Sequence, residues 1–323
     1  MIARRRFLVG LSSASALCTS ARIARGAGAP SGVTIVYQFG YAYAPLIVMK
    51  QQRVLEREFP GTSFSWHTLA SGSAIRDGMI ANQVQIGAGG VAPFLIWWDR
   101  GVGWKLLGSL CDIDMWLVTR DPSIKSLKDL KPGMKIGMPA PDSIQAIVLR
   151  KAAQEQLGNA HALDPDIVAM PHPAGLAALK AGQIVAHFTN PPFQFEEVAD
   201  GGHVVLRSFD IFGTSTLDSV FATESFAHDY PEFVTAFYTE LKRAVDLINR
   251  EPANAAAILS EDGGGKIPAA SYKDWLSRRG TTFTITPHGY LKYAKFMHDI
   301  GLIAKMPASV ADLELPTLSS SGN

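Results

Sequence analysis

Short apolar runs alternate with amphipathic stretches along most of the chain. "VTIVY" (33–37) is β-branched and aromatic and predicts an opening strand. A turn-prone loop, "QFGYAYAP", leads into "LIVMKQQRVLEREF" (46–59), a helical pattern that stops at Pro60-Gly61. "SFSWHTL" alternates as a second strand. Residues 71–90 then compress one short helix and a run of about five strand residues between Ser71-Gly72-Ser73 and Gly89-Gly90. "APFLIWWDRG" predicts a further short helix, and "WKLLGSL" and "MWLVTR" predict strands. From Asp121 the alternation begins again. "MKIGMP", "DIVAM", "IVAHFTN" and "HVVLRSF" read as strands. Between them, "DSIQAIVLRKAAQEQLG", capped by Asp142 or Ser143, "PAGLAALKAG" and "PPFQFEEVADGG" read as helices. Such alternation predicts an α/β fold with parallel sheets covered on both faces. "SVFATESF" predicts one more strand, after which the chain turns helical: 231–252, then near 254–260, 269–279 and 287–303.

The two halves echo each other. "IANQVQIGAGGVAP" (80–93) and "KAGQIVAHFTNPP" (180–192) both read as a helix end, a left-handed turn residue, a glutamine, a short strand and a small-residue loop. Asn82 and Gly182 fall at the turn position, where these two residue types are the usual occupants. Common α/β punctuation can produce such a match by chance; the alternative is two lobes built on one βα plan. Ligands of parallel α/β sheets sit beyond the carboxyl ends of the strands, among helix starts whose N–H groups lack partners. Ser71 and Ser73 offer hydroxyls at one such start, and Gly89-Gly90 allow close backbone approach at the next. Asp142-Ser143 and Thr189-Asn190 do the same in the second half. Each residue alone is equally well an N-cap or turn residue; their joint placement on strand-to-helix loops favours a cleft.

Composition narrows the partners. The 323 residues suit two domains of ordinary size or one large one, and 47% hydrophobic content supplies an ample core. Charge is balanced at +1 with no basic stripe, which argues against nucleic acid. The amino terminus, "MIARRRFLVGLSSASAL", has a basic front and an apolar run too short to span a bilayer, so 1–29 is expected to be an export signal. Arg4-Arg5-Arg6-Phe7-Leu8 fits the twin-arginine pattern. The cleavage point is ambiguous around Ala27-Gly28-Ala29, and Leu17 before Cys18 argues against a lipid anchor. With Cys18 removed only Cys111 remains, which leaves no internal disulfide. An exported, periplasmic protein is expected.

Several stretches together resemble the extracytoplasmic solute-binding proteins of bacterial ABC importers, of the nitrate, sulfonate and taurine type, a group that includes binders of thiamine-pyrimidine precursors. They are "YAYAPLIVMKQ", "SGSAIRDGMIANQVQIGAGGVAPFL", "WLVTRDPSIKSLKDLKPGMKIGMPAPDS", "ALKAGQIVAHFTNPPFQFEEVADGG" and "PEFVTAFYTELKRAVDLINREP", in the family's order. The resemblance implies a two-lobed periplasmic binding protein fold of type II, with "MWLVTR" and "STLDSVFA" as crossover strands. Residues 30–117 and 218–323 would form the first lobe and 118–217 the second. It implies closure on a small-molecule ligand rather than catalysis, delivery to an inner-membrane permease with its ATPase, and a monomer. Positions carried over for the ligand are Tyr41, Ser71, Ser73, Gly90, Asp142, Ser143 and Asn190, with Trp116 and Asp218 beside the hinge. The chain departs from its relatives at Gln85 and Val185-Ala186, where many carry an aspartate.

Other chemistry is poorly supported. The eight histidines form no HxH or HExxH set, so neither a metal nor a cofactor is expected. His187 is expected to hold a structural hydrogen bond rather than a ligand. Gly263-Gly264-Gly265-Lys266 lacks P-loop spacing and predicts a surface turn. Trp97-Trp98 predict a packed helix face or a permease contact more than an aromatic clamp. Pyrimidine-synthesis enzymes of the same fold carry a cysteine-rich motif that one mature cysteine cannot supply, whereas a periplasmic sensor partner remains open. With no Arg or Lys in the candidate loops, an organic sulfonate or carboxylate is favoured over nitrate, and an aromatic or pyrimidine compound follows closely.

Overall fold

A computed structural model describes residues 29–318, so the expected leader, with Cys18 and the twin-arginine motif, lies outside the described residues except for Ala29. In chain order the first part comprises β1 (Gly32–Tyr37), a 3₁₀ turn at Tyr41–Tyr43, α1 (Ala44–Gln51), α2 (Val54–Glu58), β2 (Ser63–Thr68), α3 (Gly72–Ile80), β3 (Ile86–Gly90), α4 (Val91–Asp99) and β4 (Trp104–Ile113). The middle comprises β5 (Trp116–Thr119), β6 (Ile136–Met138), α5 (Ile144–Leu157), β7 (Ile167–Ala169), α6 (His172–Lys180), β8 (Ala186–Thr189), α7 (Phe193–Ala199), β9 (His203–Arg207) and α8 (Ser208–Phe212). The rest comprises β10 (Thr216–Thr223), α9 (Glu224–Asp229), α10 (Pro231–Arg250), α11 (Pro252–Asp262), α12 (Ala269–Leu276), β11 (Thr281–Phe283) and α13 (Tyr290–Asp299).

Two sheets result, ordered β11-β4-β10-β3-β1-β2 and β7-β6-β8-β5-β9. β1 runs parallel to β2 and β3, and β6 runs parallel to β7 and β8. In each sheet the strand that follows one of the chain's two passages between sheets runs antiparallel to both its neighbours, β10 between β3 and β4 and β5 between β8 and β9, and β11 adds an antiparallel edge on β4. The first passage is the dipeptide Asp114-Met115; the second covers residues 208–215. Sheet membership therefore changes one residue before Trp116, slightly ahead of the expected boundary after residue 117, and returns at Thr216, two residues ahead of Asp218.

Burial explains the elements. β3 is buried along its whole length, as a strand covered on both faces must be. α10 buries Phe233, Phe237, Leu241, Ala244 and Ile248 at helical spacing and leaves its charged face to solvent. The expected helix 46–59 is broken. Arg53 takes a left-handed conformation (φ 51°) and re-aims the chain, so that both Met49 and Leu55 reach the core. The last long helix starts at Tyr290 rather than residue 287 because Gly289, with φ 73°, turns the chain just before it. α8 and β11 were not expected; five and three residues are too short to display a period. Cys111 is a buried free thiol on β4.

The echo is structural. Asn82 and Gly182 both lie in the left-handed region (φ 56° and 68°). Asn82 N–H donates to Met79 O and Gln83 N–H to Gly78 O; Gly182 N–H donates to Leu179 O and Gln183 N–H to Ala178 O, all at 2.9–3.1 Å. Ile86 then pairs with Ile35 of β1, and Ala186 with Ile136 of β6. Gln85 also accepts the Thr34 N–H on its side-chain oxygen at 2.8 Å, a tie that Val185 cannot make.

Candidate ligand-binding site

The carboxyl ends of the parallel strands of both sheets converge on one cavity. The first sheet contributes Gln38 and Phe39 after β1, Tyr43, Gly90 at the end of β3, and Leu217 and Asp218 of β10. The second contributes Asp142, Ser143, Ile144 and Gln145 at the start of α5, His172 at the start of α6, and Asn190 after β8. Ser143 caps α5 by accepting the Ala146 N–H at 3.3 Å. The first N–H groups of that helix have no partner within it and lie at the cavity wall. No Lys or Arg is among the lining residues.

Asp218 dominates the electrostatics of the first side. It is 2% exposed, and its Oδ1 accepts the Tyr43 hydroxyl at 2.9 Å. Its Oδ2 is buried without a hydrogen-bond partner. Burial pushes its carboxyl up to about 7, against the lowering effect of the Tyr43 hydrogen bond. The Tyr43 phenol is itself held well above its usual range by burial and by the neighbouring carboxylate.

The second side is backed by a buried polar chain. Gln145 Nε2 lies 3.4 Å from His172 Nε2, His172 Nδ1 lies 3.2 Å from His187 Nε2, and His187 Nδ1 lies 2.5 Å from Glu197 Oε1. The Thr189 hydroxyl joins at 3.3 Å from His172 Nδ1. Burial lowers both imidazoles, and His187 lowers His172 further, whereas burial raises Glu197. Burial thus disfavours charge on all three groups. Gly175 clears the space for the His187 ring: a Cβ there would stand 2.3 Å from His187 Nε2. Among the described residues, no group of three or more His, Cys, Asp or Glu side chains is placed to hold a metal ion.

A family model described as NMT1-like matches residues 26–260. The chain belongs to the NMT1-like family. Among solved structures, this NMT1-like protein is similar to the alkanesulfonate-binding protein SsuA from Xanthomonas axonopodis pv. citri bound to MOPS, with a TM-score of 0.72 and 21% identity over 85% of this chain and 95% of that one. It is also similar to the periplasmic aliphatic sulphonate binding protein SsuA from Escherichia coli, with a TM-score of 0.67 and 20% identity over 90% and 99% of the two chains. The periplasmic nitrate-binding protein NrtA from Synechocystis PCC 6803 matches with a TM-score of 0.72 at 12% identity, over 91% and 88%. No curated protein sequence matches it. The fold is thus the two-lobed α/β fold of periplasmic binding proteins, and no described helix is long and apolar enough to cross a membrane.

Of the residues singled out from the sequence, Gly90, Asp142, Ser143, Asn190 and Asp218 of this NMT1-like protein line the one cavity. Gly90 is also a point of contact between lobes, since a Cβ there would lie 3.1 Å from Ile144 Cγ2. Ser71 and Ser73 lie on a neighbouring groove that shares Asp142, with Ser71 capping α3 and its hydroxyl 2.9 Å from that of Ser73; only Gly72 between them reaches the cavity. Tyr41 does not line it. Tyr41 is buried, stacks on Trp275 at 6.2 Å and donates its hydroxyl to the Trp275 carbonyl. In a 3₁₀ turn, residues two apart project to different sides, so Tyr43 meets Asp218 and Tyr41 turns away. Trp116 is also outside the cavity, with its indole N–H on Asp114 at 2.9 Å and the Arg207 guanidinium 4.3 Å above its ring.

Trp97 is held between the guanidinium groups of Arg76 and Arg100, at 4.3 and 4.5 Å, on α4. His187 has no exposed surface and serves only the buried chain. Sequence reasoning passed over Gln38, Tyr43 and Gln145, and placed His172 on a second-lobe loop without assigning it a contact. The strand-end rule contained the signal for Gln38 and Gln145, which follow β1 and open α5. Nothing in the local pattern marked Tyr43.

Proposed function

We propose that this chain is the extracytoplasmic substrate-binding component of an ABC importer, which closes on a small organic solute between its lobes and hands it to an inner-membrane permease driven by its ATPase. The observation that carries this reading is a cavity at the strand ends to which both lobes contribute buried polar side chains, Asp218 and Tyr43 from one and Asn190, Ser143 and Gln145 from the other. Each lobe supplies only half of the hydrogen-bonding surface, so a solute that satisfies both halves holds the lobes together. A periplasmic location, reached by the twin-arginine route, and a monomeric state belong to the same reading. An organic anion of sulfonate or carboxylate type draws support from the SsuA likeness and from the N–H groups at the start of α5. A flat aromatic or pyrimidine compound draws support from the apolar walls of Phe39, Pro93, Ile144 and Leu217.

Thermal-shift screening of the leader-free protein tests the proposal. A bound solute should raise the melting temperature in a concentration-dependent way, by RT ln(1 + [L]/Kd) in free energy. Gly90→Val should abolish that shift, because its side chain would meet Ile144 where the lobes touch. Ligand-induced stabilisation that persists unaltered in Gly90→Val would place the solute elsewhere.

A further inference from the structure

The buried chain behind the second side of the cavity has one open end and one closed end. Gln145 lines the cavity, whereas the Glu197 side chain is 1% exposed and lies behind His187. Between them His172 and His187 each meet one neighbour through each ring nitrogen. With burial disfavouring charge, each imidazole carries a single N–H, so it donates on one side and accepts on the other. Two such rings in series leave two ways to order the protons. With Glu197 protonated, its O–H donates to His187 Nδ1 and His187 Nε2–H donates to His172 Nδ1. His172 Nε2–H then needs the carbonyl oxygen of Gln145, whose N–H groups turn to the cavity. With Glu197 ionised, every bond reverses: His172 Nε2 accepts an amide N–H of Gln145, and the carbonyl oxygen turns to the cavity. The Thr189 hydroxyl suits both orders, because it can donate to His172 Nδ1 or to the Asn190 carbonyl, each at 3.3 Å. The amide nitrogen near His172 belongs to the second order, whereas burial of Glu197, whose carboxyl is pushed up to about 9, favours the first. A half-turn of the Gln145 amide converts one into the other.

We infer that the proton on Glu197 decides, through His187 and His172, whether Gln145 turns its N–H groups or its carbonyl oxygen to the cavity, which makes Glu197 a positioning residue for the wall that meets the solute. The solute enters only through the importer reading, on which this role rests; the chain itself does not depend on it. Passing from the first order to the second moves one proton at each bond. Glu197 gives its proton to His187 Nδ1, His187 Nε2 gives one to His172 Nδ1, and His172 Nε2 releases one to solvent at the cavity, a net loss of one proton. A solute oxygen meets a donor in the first order and an acceptor in the second, so the cavity changes its preference without changing its lining. Other charges around α7 are already committed. Lys180 and Arg120 pair with Asp200, Arg207 with Asp114 and Arg278 with Asp274, and His203 Nε2 bonds the Ile124 carbonyl. Glu196 opposes a second negative charge beside it, and burial raises the Tyr272 phenol. At the cavity end, Asp142, Asp218 and Tyr43 share the lining with His172.

Nitrogen-15 NMR of the leader-free protein, labelled in histidine and glutamine, tests this, because the two nitrogens of each ring report which one carries the proton. As pH rises from about 6 to about 10, His172 and His187 should pass together from the Nε2–H to the Nδ1–H tautomer, and the Gln145 side-chain amide signals should move with the same midpoint. Glu197→Gln should remove the switch, since an amide at this position has no proton to lose in that range. Asp218→Asn should leave the switch in place. Tautomers that stay fixed across the range, a change in one ring only, or a Gln145 amide that does not follow the rings would overturn the inference. So would a switch that survives in Glu197→Gln, or one lost in Asp218→Asn, which would assign the titration to Asp218. Should Glu197→Gln fail to fold, the titration of the unaltered protein decides alone by the same criteria. None of these measurements uses a solute, so their failure leaves the importer reading to the thermal-shift screen, and failure of that screen leaves the proton order of the chain standing.

Discussion

The ends of β3 and β8 occupy equivalent places in the two lobes, yet one is built of glycine and the other of polar side chains. Ile86–Gly90 reads IGAGG; residues 186–190 read AHFTN. The sharpest contrast is one pair of neighbours. In the first lobe Gly87 pairs with Val36 of β1; in the second His187 pairs with Gly137 of β6. The glycine and the bulky residue have exchanged strands. Space above Gly87 is filled by Ile75, Met79 and Phe221, each 2.8 Å from where a Cβ would stand. In the second lobe the corresponding region holds His187, His172 and Glu197. One backbone plan therefore carries either an apolar interior or a buried hydrogen-bonded chain, depending on where glycine makes room.

The most severe way to break that contrast is to remove the room. Gly175→Ala places a methyl group 2.3 Å from His187 Nε2, and the ring cannot retreat because Glu197 and His172 hold it on either side. A loss of about 3 kcal/mol is expected, at the upper end of the usual range for overpacking. Gly87→Ala in the first lobe should cost about 1–2 kcal/mol, since Met79, one of its three close neighbours, is flexible. Urea denaturation of the two variants checks the order; a costlier Gly87→Ala would mean that the histidine chain is the softer interior.

A gentler intervention keeps the packing and removes the proton. Glu197 holds its proton in the folded chain well above the ordinary carboxyl range because it is buried. The unfolded chain releases that proton near pH 4.3, so stability from this group falls as pH rises until the folded acid itself ionises. His172 and His187 act in the opposite sense, since their folded values are lowered and the unfolded chain takes up protons below about pH 6.5. Asp218 adds to the alkaline fall only up to its value of about 7. Between about pH 7 and 8 the Glu197 contribution dominates, with a slope of at most about 1.4 kcal/mol per unit; nearer pH 8.5 the buried Cys111 thiol, also raised by its burial, adds a fall of the same sign. Glu197→Gln should flatten the fall of melting temperature over that interval. An unchanged slope would show that Glu197 is already ionised against a charged His187.

How much of this was legible in the residues varies with the range of the interaction. The strand and helix order follows from local period, and the echo around Asn82 and Gly182 was visible because a left-handed turn restricts residue type. Gly90, Asp142, Ser143 and Asn190, which line the cavity, were singled out by a rule about strand ends and helix starts. The choice between Tyr41 and Tyr43 depends on how a 3₁₀ turn faces, and "GYAY" offers no period long enough to decide it. The His172–His187–Glu197 chain joins a helix start, a strand and a second helix, whose juxtaposition exists only once the sheet has formed. Gly175 was its trace in the sequence, but glycine in a helix signals close approach without naming the neighbour.

The smallest expected effect concerns the feature that the lobes share. At Gly182 a Cβ would meet nothing within 4 Å, so Gly182→Ala isolates the backbone cost of a left-handed L-residue. That cost is about 1 kcal/mol. Asn82 already bears it in part, because its short polar side chain tolerates φ 56° better than most. Asn82→Gly should therefore leave stability within about 0.5 kcal/mol of its starting value, the relief of strain being offset by the greater freedom of glycine in the unfolded chain. Chemical denaturation of the two variants measures the difference directly. If Gly182→Ala proved neutral while Asn82→Gly destabilised by more than about 1 kcal/mol, the Asn82 side chain would be holding a contact that its glycine counterpart lacks, and the two turns would agree in shape without agreeing in what stabilises them.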